Sequence, residues 1–75
     1  MRMRKNLINT RKNKGYTQVE LANKLGITDR QYRSLEAGTS NGSIKVWWKL
    51  KGILNVISMD FLLEQEAKTN DKTSF

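Results

Sequence analysis

Residues 17–38 read TQVELANKLGITDRQYRSLEAG, and this stretch decides the fold that the sequence predicts. The segments TQVE and TDRQ, which begin at Thr17 and Thr28, have the S/T-x-x-E/Q form of the capping box that begins an α-helix. Gly26 follows the last apolar residue after the first box, and Gly38 follows the last apolar residue after the second, and glycine commonly ends a helix at such a position. The pattern therefore predicts two short helices, over about residues 17–25 and 28–37, joined by a tight turn.

The second of these helices has two different sides. At the helical spacing, Tyr32 and Leu35 lie on an apolar side that would face a core. Arg30, Arg33 and Ser34 lie on the opposite, polar side. A helix with a narrow apolar stripe and a basic polar side fits the major groove of DNA. We therefore expect this helix to be a recognition helix that contacts double-stranded DNA.

Helical spacing of apolar residues continues on both sides of this pair. It predicts a first helix over about residues 4–13, a fourth over about residues 43–55 and a fifth that begins at Ser58. The predicted fold class is thus all-α, with five helices in one domain over residues 1–64. Residues 65–75 are polar and lack periodicity, so we expect them to form a flexible tail.

The charge of the chain is strongly positive and unevenly distributed. Fourteen Lys and Arg residues oppose seven Asp and Glu residues, which gives a net charge of +7 and a pI near 10.1. Residues 1–57 hold 12 basic and 3 acidic residues, whereas residues 58–75 hold 2 and 4. Such a basic segment is typical of a domain that binds a polyanion. Binding to an anionic membrane, or solubility alone, would also account for the charge.

Several residue types that catalysis or metal binding commonly needs are missing. The 75 residues include no Cys and no His, and none of the other polar residues forms a pattern typical of an activated nucleophile or a phosphate-binding loop. No apolar run approaches the roughly 18 residues of a membrane span. We therefore expect no catalytic residue, metal, cofactor, small-molecule ligand or membrane contact, and a cytoplasmic location.

The stretch 17–38 also resembles the lambda-repressor/Cro-like helix-turn-helix family, often called the Xre family. The matching motifs are TQVELA at Thr17–Ala22, GIT at Gly26–Thr28 and LEAG at Leu35–Gly38. The resemblance implies a five-helix, lambda-repressor-like domain over nearly the whole folded chain, with DNA as its partner.

The resemblance further implies roles for individual positions. Four residues of the third helix are implied to read bases, namely Asp29, Arg30, Gln31 and Ser34. We expect the outward-facing Arg33 to read bases with them. Those expected to contact DNA phosphates are Thr17, Gln18, Ser43 and Lys45. A partly buried ion pair between the first and third helices is implied for Arg11 and Glu36.

Two of the implied base-reading residues have other interpretations. Asp29 stands where relatives often carry Gln, Arg or Ser; an acid there repels phosphate but can accept a hydrogen bond from cytosine N4. It could instead only favour the helix N-terminus through the helix dipole. Gln31 could act as the capping partner of Thr28 rather than read a base.

Trp48 lies nearly opposite the apolar side of the fourth helix, and Gly52 follows one turn later on the same side. An exposed Trp is unusual on a small domain, and Trp is enriched at the energetic centres of protein interfaces. We expect a homodimer with Trp48 and Gly52 in the contact. The alternative is that the indole ring folds over onto Ile44 or the tail.

These features together predict a sequence-specific transcriptional regulator, either a Cro-type repressor or a controller protein, that binds a palindromic operator as a dimer. Two alternatives remain open. The first is the antitoxin of a toxin–antitoxin pair, in which Trp48 or the tail contacts the toxin. The second is a protein-interaction module on the same fold, such as an antirepressor, which the acid at Asp29 alone favours.

Overall fold

Within residues 2–65, which a computed structural model of the chain describes, there are five α-helices and no strand. These are α1 (Lys5–Asn13), α2 (Gln18–Leu25), α3 (Asp29–Ala37), α4 (Ile44–Leu54) and α5 (Met59–Leu63). The predicted all-α fold with five helices is therefore confirmed. None of the helices in this range is long and apolar enough to cross a membrane.

Both predicted capping boxes are present. Thr17 Oγ1 accepts a hydrogen bond from the Glu20 backbone N–H at 3.0 Å, and the Thr17 N–H donates to Glu20 Oε1 at 2.9 Å. Thr28 and Gln31 make the same reciprocal pair at 3.0 and 2.8 Å. Each cap satisfies backbone donors that the first helical turn leaves unpaired, and such a cap typically stabilises a helix by about 1 kcal/mol.

Two glycines end the central helices in the left-handed conformation that other residues rarely adopt. Gly26 follows α2 with φ of 75°, and Gly38 follows α3 with φ of 80°. At Gly38 space is an additional constraint, because a Cβ there would lie 2.0 Å from the carbonyl oxygen of Arg2. The chain segment before α1 thus packs directly against the end of α3.

The core lies where all five helices meet. α2 packs against α3 and α4, and α5 packs against α1 and α4. The buried hydrophobic side chains are Leu7, Leu21, Ala22, Leu25, Tyr32, Leu35, Trp47, Leu50, Leu54 and Leu62. Gln65, at the start of the predicted tail, donates through its side chain to the carbonyl oxygens of Arg2 and Gly38. The other residues of that tail lie outside the described range.

Arg4 differs from the sequence prediction, which included it in the first helix. It precedes α1 as the N-cap residue with φ of −91° and ψ of 78°, and it is only 2% exposed. Its guanidinium donates to three carbonyl oxygens, those of Leu35 at 2.7 Å, Ser40 at 2.9 Å and Leu63 at 3.1 Å. A fourth bond runs to Asn41 Oδ1 at 3.2 Å.

No carboxylate within residues 2–65 pairs with this buried cation. Leu35 and Leu63 lie in the last turns of α3 and α5, so the guanidinium sits at the negative ends of two helix dipoles. The Trp47 ring lies 5.2 Å from it, within the range of a cation–π contact. Burial lowers the pKa of Arg4. The backbone of α3 and α5 therefore supplies the compensation that a carboxylate would otherwise give.

We expect Arg4→Lys to lower the free energy of unfolding by about 2–3 kcal/mol, because a lysine cannot reach all four acceptors and a buried acceptor without a donor costs about 1–3 kcal/mol. The measurement is urea denaturation followed by circular dichroism. Arg2→Lys is the matched control, because it is the same substitution two residues away and the Arg2 side chain is exposed. Equal stability of the two variants would show that the Arg4 hydrogen bonds do not hold the fold.

Candidate nucleic-acid interface

α2 and α3 form a compact pair joined by the three residues Gly26–Thr28. Ile27 in this turn is partly buried and packs against the core. On α3, Tyr32 is fully buried, whereas Arg30 and Arg33 are exposed. α3 therefore has the apolar inner side and the basic outer side that the sequence predicts.

The orientation of α3 is fixed by the buried carboxylate of Glu36, which is 3% exposed. Arg11 on α1 donates through Nε to Glu36 Oε2 at 2.6 Å. Gln18 on α2 donates through Nε2 to Oε1 at 2.9 Å, and the Tyr32 hydroxyl donates to Oε2 at 2.5 Å. The ion pair that the resemblance implies for Arg11 and Glu36 is thus part of a network that links α1, α2 and α3.

Two pKa shifts accompany this network. Burial by itself lowers the pKa of Arg11, but the hydrogen bond and the negative charge of Glu36 outweigh it, so the net shift is upward. Burial, and then the hydrogen bond to Glu36, raise the pKa of Tyr32 well above its ordinary value. Around neutral pH Arg11 therefore carries its charge and Tyr32 keeps its proton, as both need to donate to the carboxylate.

The hydroxyl of Tyr32 is the functional group that the sequence analysis missed, because it treated this residue as core only. The available signal was its spacing, since Tyr32 and Glu36 stand at i and i+4 on one helix side. A buried Tyr hydroxyl usually finds a partner, and here the partner is the carboxylate one turn later.

Of the residues predicted to read bases, several already make hydrogen bonds within α3. Gln31 Oε1 accepts from the Thr28 N–H in the capping box. The Ser34 hydroxyl donates to the Arg30 carbonyl oxygen at 3.1 Å, and Arg33 pairs with Asp29 at 2.6 Å. The Arg30 side chain is exposed, and no hydrogen bond to it occurs within residues 2–65.

The predicted phosphate-contacting residues lie at the N-termini of α2 and α4. Thr17 and Ser43 are the N-cap residues of these helices, and each hydroxyl oxygen accepts a backbone N–H while its own proton can still be donated. Lys45 in the first turn of α4 is exposed. Gln18 is partly buried and tied to Glu36. Helix N-termini favour anions, because the dipole places partial positive charge there.

Trp48 is 58% exposed on α4, and Ile44 one turn earlier is 71% exposed, so neither side chain buries the other. Lys51 Nζ lies 5.9 Å from the centre of the indole ring. At Gly52 an added Cβ would meet no heavy atom within 4 Å. Trp48 and Gly52 thus border an open surface. Within residues 2–65, no group of three or more potential ligands is placed to hold a metal ion.

A family model described as Helix-turn-helix matches residues 7–62, which include α2, α3 and α4 and most of α1 and α5. The chain belongs to the lambda-repressor-like, or Xre, helix-turn-helix family. Among solved structures, the N-terminal DNA binding domain of SinR from Bacillus subtilis has the same fold as this family member. The TM-score is 0.69 at 32% identity, and the match covers 85% of this chain and 93% of that one.

Two relatives in Bacillus subtilis (strain 168) are described as HTH-type transcriptional regulators. The SPbeta prophage-derived uncharacterized regulator YonR is 44% identical over 54 residues, which cover 72% of this chain and 49% of YonR. The uncharacterized regulator YqaE is 40% identical over 62 residues, which cover 83% of this chain and 53% of YqaE. The chain therefore spans about half the length of these two relatives.

We expect Glu36→Gln to lower the free energy of unfolding by about 3–5 kcal/mol, because it leaves the buried Arg11 cation without its counter-charge. Tyr32→Phe should cost less, about 1.5–3 kcal/mol, since it removes one hydrogen bond to a charged group and leaves the ion pair intact. Urea denaturation of the two variants measures both values. A larger loss for Tyr32→Phe than for Glu36→Gln would contradict the central role of the ion pair.

Proposed function

We propose that this chain is a sequence-specific DNA-binding domain of a transcriptional regulator, active in the cytoplasm, that places α3 in the major groove of double-stranded DNA. The observation that carries the proposal is the basic outer side of α3, presented by a short turn after α2. The relatives described as transcriptional regulators and the SinR domain support it. Selection of bound DNA from a random pool tests it, and recovery of no shared sequence would refute it.

In this proposal the side chains that contact DNA divide into two groups. The base-reading part consists of Arg30, Gln31, Arg33 and Ser34 on α3, with Asp29 paired to Arg33 beside them. Arg30 is the principal contact, because its exposed side chain gives up no hydrogen bond within residues 2–65 when it binds DNA. Thr17, Gln18, Ser43 and Lys45 contact phosphates at the ends of α2 and α4. Phosphate contacts fix the position of a protein on DNA, whereas contacts with base edges give sequence preference.

Arg30→Ala should weaken binding to the selected sequence by about 1–3 kcal/mol and relax the preference at one base position. Lys45→Ala is the matched comparison, because it removes an exposed cation that lies on α4. It should weaken binding to all sequences alike. The slope of the logarithm of the binding constant against the logarithm of salt concentration should become shallower by about the amount that one phosphate contact contributes. Fluorescence anisotropy over a salt series measures both effects. An unchanged base preference in Arg30→Ala would remove this residue from the base-reading group.

We further propose that two copies bind a palindromic operator as a dimer, with Trp48 and Gly52 in the contact. One recognition helix covers few base pairs, and a two-fold pair places two such helices about one DNA turn apart.

Three lysines surround Trp48 on α4, at positions 45, 49 and 51. A contact made only of this basic surface would repel its own copy.

Residues in and beside α5 supply the acidic and apolar side chains that the basic α4 surface lacks. Asp60 and Glu64 are exposed acids, Phe61 between them is 48% exposed, and Ile57 just before the helix is 96% exposed. An isologous dimer can pair the α4 surface of each copy with the α5 surface of the other, because a two-fold axis makes each contact occur twice. Opposite charges then face each other around the apolar centre.

Gly52→Gln distinguishes a weaker dimer from a damaged fold, because it should raise the stability of the monomer and lower the affinity of the dimer. The monomer should become more stable by roughly 0.5–1 kcal/mol, since glycine is a poor residue in a helix interior and the site is open. The dimer should weaken, because the new side chain fills the space beside Trp48. Sedimentation velocity and urea denaturation measure the two effects.

Trp48→Ala is the second variant for the same contact. It should keep the helical content, since the ring is exposed, but shift the protein toward monomer and weaken binding to a full operator more than to a half-site. If both variants sediment like the unmodified protein and bind the full operator equally well, the contact lies elsewhere or the protein acts as a monomer.

Within transcriptional regulation, we propose a Cro-type repressor or controller protein rather than an antirepressor. The one feature that favoured an antirepressor was the acid at Asp29, and its charge is balanced by Arg33. A reporter gene placed under the selected operator tests the assignment: expression should fall when the chain is supplied. Activation of the reporter would contradict repression while leaving DNA binding in place.

A further inference from the structure

Asp29 and Arg33 form an ion pair on the outer side of α3, across its first turn. Arg33 Nη2 donates to Asp29 Oδ2 over 2.6 Å, and the Arg33 side chain remains 60% exposed. The second carboxylate oxygen, Asp29 Oδ1, is buried and has no hydrogen-bond partner within residues 2–65. The Asp29 side chain is 38% exposed, but with Oδ1 enclosed a base could reach the carboxylate only at the oxygen that already binds Arg33.

The pair has little to do with holding the fold. Exposed i,i+4 ion pairs contribute only slightly to stability, and the networks of Arg4 and Glu36 already fix the C-terminal end of α3. What the pair changes is the conformation of Arg33 before any ligand arrives. A long side chain loses rotamer freedom when it binds, and a side chain that is already held loses less.

The held guanidinium keeps most of its donors. It carries five N–H groups, of which the bond to Asp29 uses one. The remaining donors on Nη1 and Nη2 can bind a planar pair of acceptors. In the major groove, the acceptor pair that suits an arginine is O6 and N7 of guanine.

We propose that Asp29 is a positioning residue, which holds Arg33 ready to read a guanine and does not itself contact a base. This inference rests on the proposed function, because it assigns a division of roles inside the same DNA-binding surface. It also fixes the base that Arg33 reads.

The charge of Asp29 has a second consequence. A carboxylate at the groove repels phosphates and so weakens binding to every DNA sequence. Its removal should therefore have effects of opposite sign: lower preference for guanine at one position and tighter binding to unrelated DNA. A merely structural role for Asp29 would weaken both together.

The test begins with the operator selected by the unmodified protein, in which each guanine is then replaced in turn. Arg33→Lys should lose about tenfold of the preference for one guanine, since a lysine cannot donate as a planar fork. Asp29→Asn should lose about two- to tenfold at that same guanine, and bind unrelated DNA more tightly. The double variant should show no further loss beyond Arg33→Lys.

Two more variants separate position from charge. Asp29→Glu keeps the charge but moves the carboxylate by one methylene group, so the preference should fall while binding to unrelated DNA stays unchanged. Asp71→Asn removes the same charge at a position assigned to neither the DNA-binding surface nor the dimer contact, and it should leave the guanine preference intact.

An unchanged guanine preference in Asp29→Asn and Asp29→Glu would overturn the inference and leave the proposed function standing. A loss at a different base pair, additive with Arg33→Lys, would also overturn it, because Asp29 would then read a base directly. If the unmodified protein selects no sequence from the random pool, the proposed function fails, and the inference fails with it.

Discussion

The buried carboxylate of Glu36 is the constraint on which the rest of the structure depends. An ionised carboxylate away from water is costly unless it is paired and hydrogen-bonded, and Glu36 obtains donors from Arg11, Gln18 and Tyr32. These donors come from α1, α2 and α3 itself. The cost of leaving the charge unsatisfied therefore fixes how the three helices sit against each other, and with it the angle at which α3 is presented.

A second buried charge holds the other side of the same helix end. The Arg4 guanidinium donates to backbone carbonyls, including that of Leu35 in the last turn of α3. The backbone N–H of Arg4 donates to the Glu36 carbonyl oxygen at 2.9 Å. A small domain buries a limited core, so such polar ties contribute much of its specificity of shape. Together they leave α3 as a rigid support whose outer side chains can act without disturbing the fold.

The outer side of α3 is more ordered than its composition suggests. Gln31 serves the cap, Ser34 bonds back to the preceding turn, and Asp29 holds Arg33. Only some of the polar side chains that face outward are thus available to a ligand without losing a bond. The basic charge of residues 1–57 supplies general attraction to a polyanion, while these local hydrogen bonds decide which few side chains can discriminate between sequences.

The sequence by itself determined the helices, because caps, glycine stops and apolar spacing act over four residues or fewer. It also determined the family, and it placed Trp48 outside the core, where the ring is 58% exposed. Only the tertiary structure decided that Arg4 is buried, since its acceptors lie 31 to 59 residues away along the chain. It likewise decided that Gln18 and Tyr32 join the Glu36 network. A local pattern records which residues prefer a helix, but the partner of a buried charge depends on which distant elements the folded chain brings beside it.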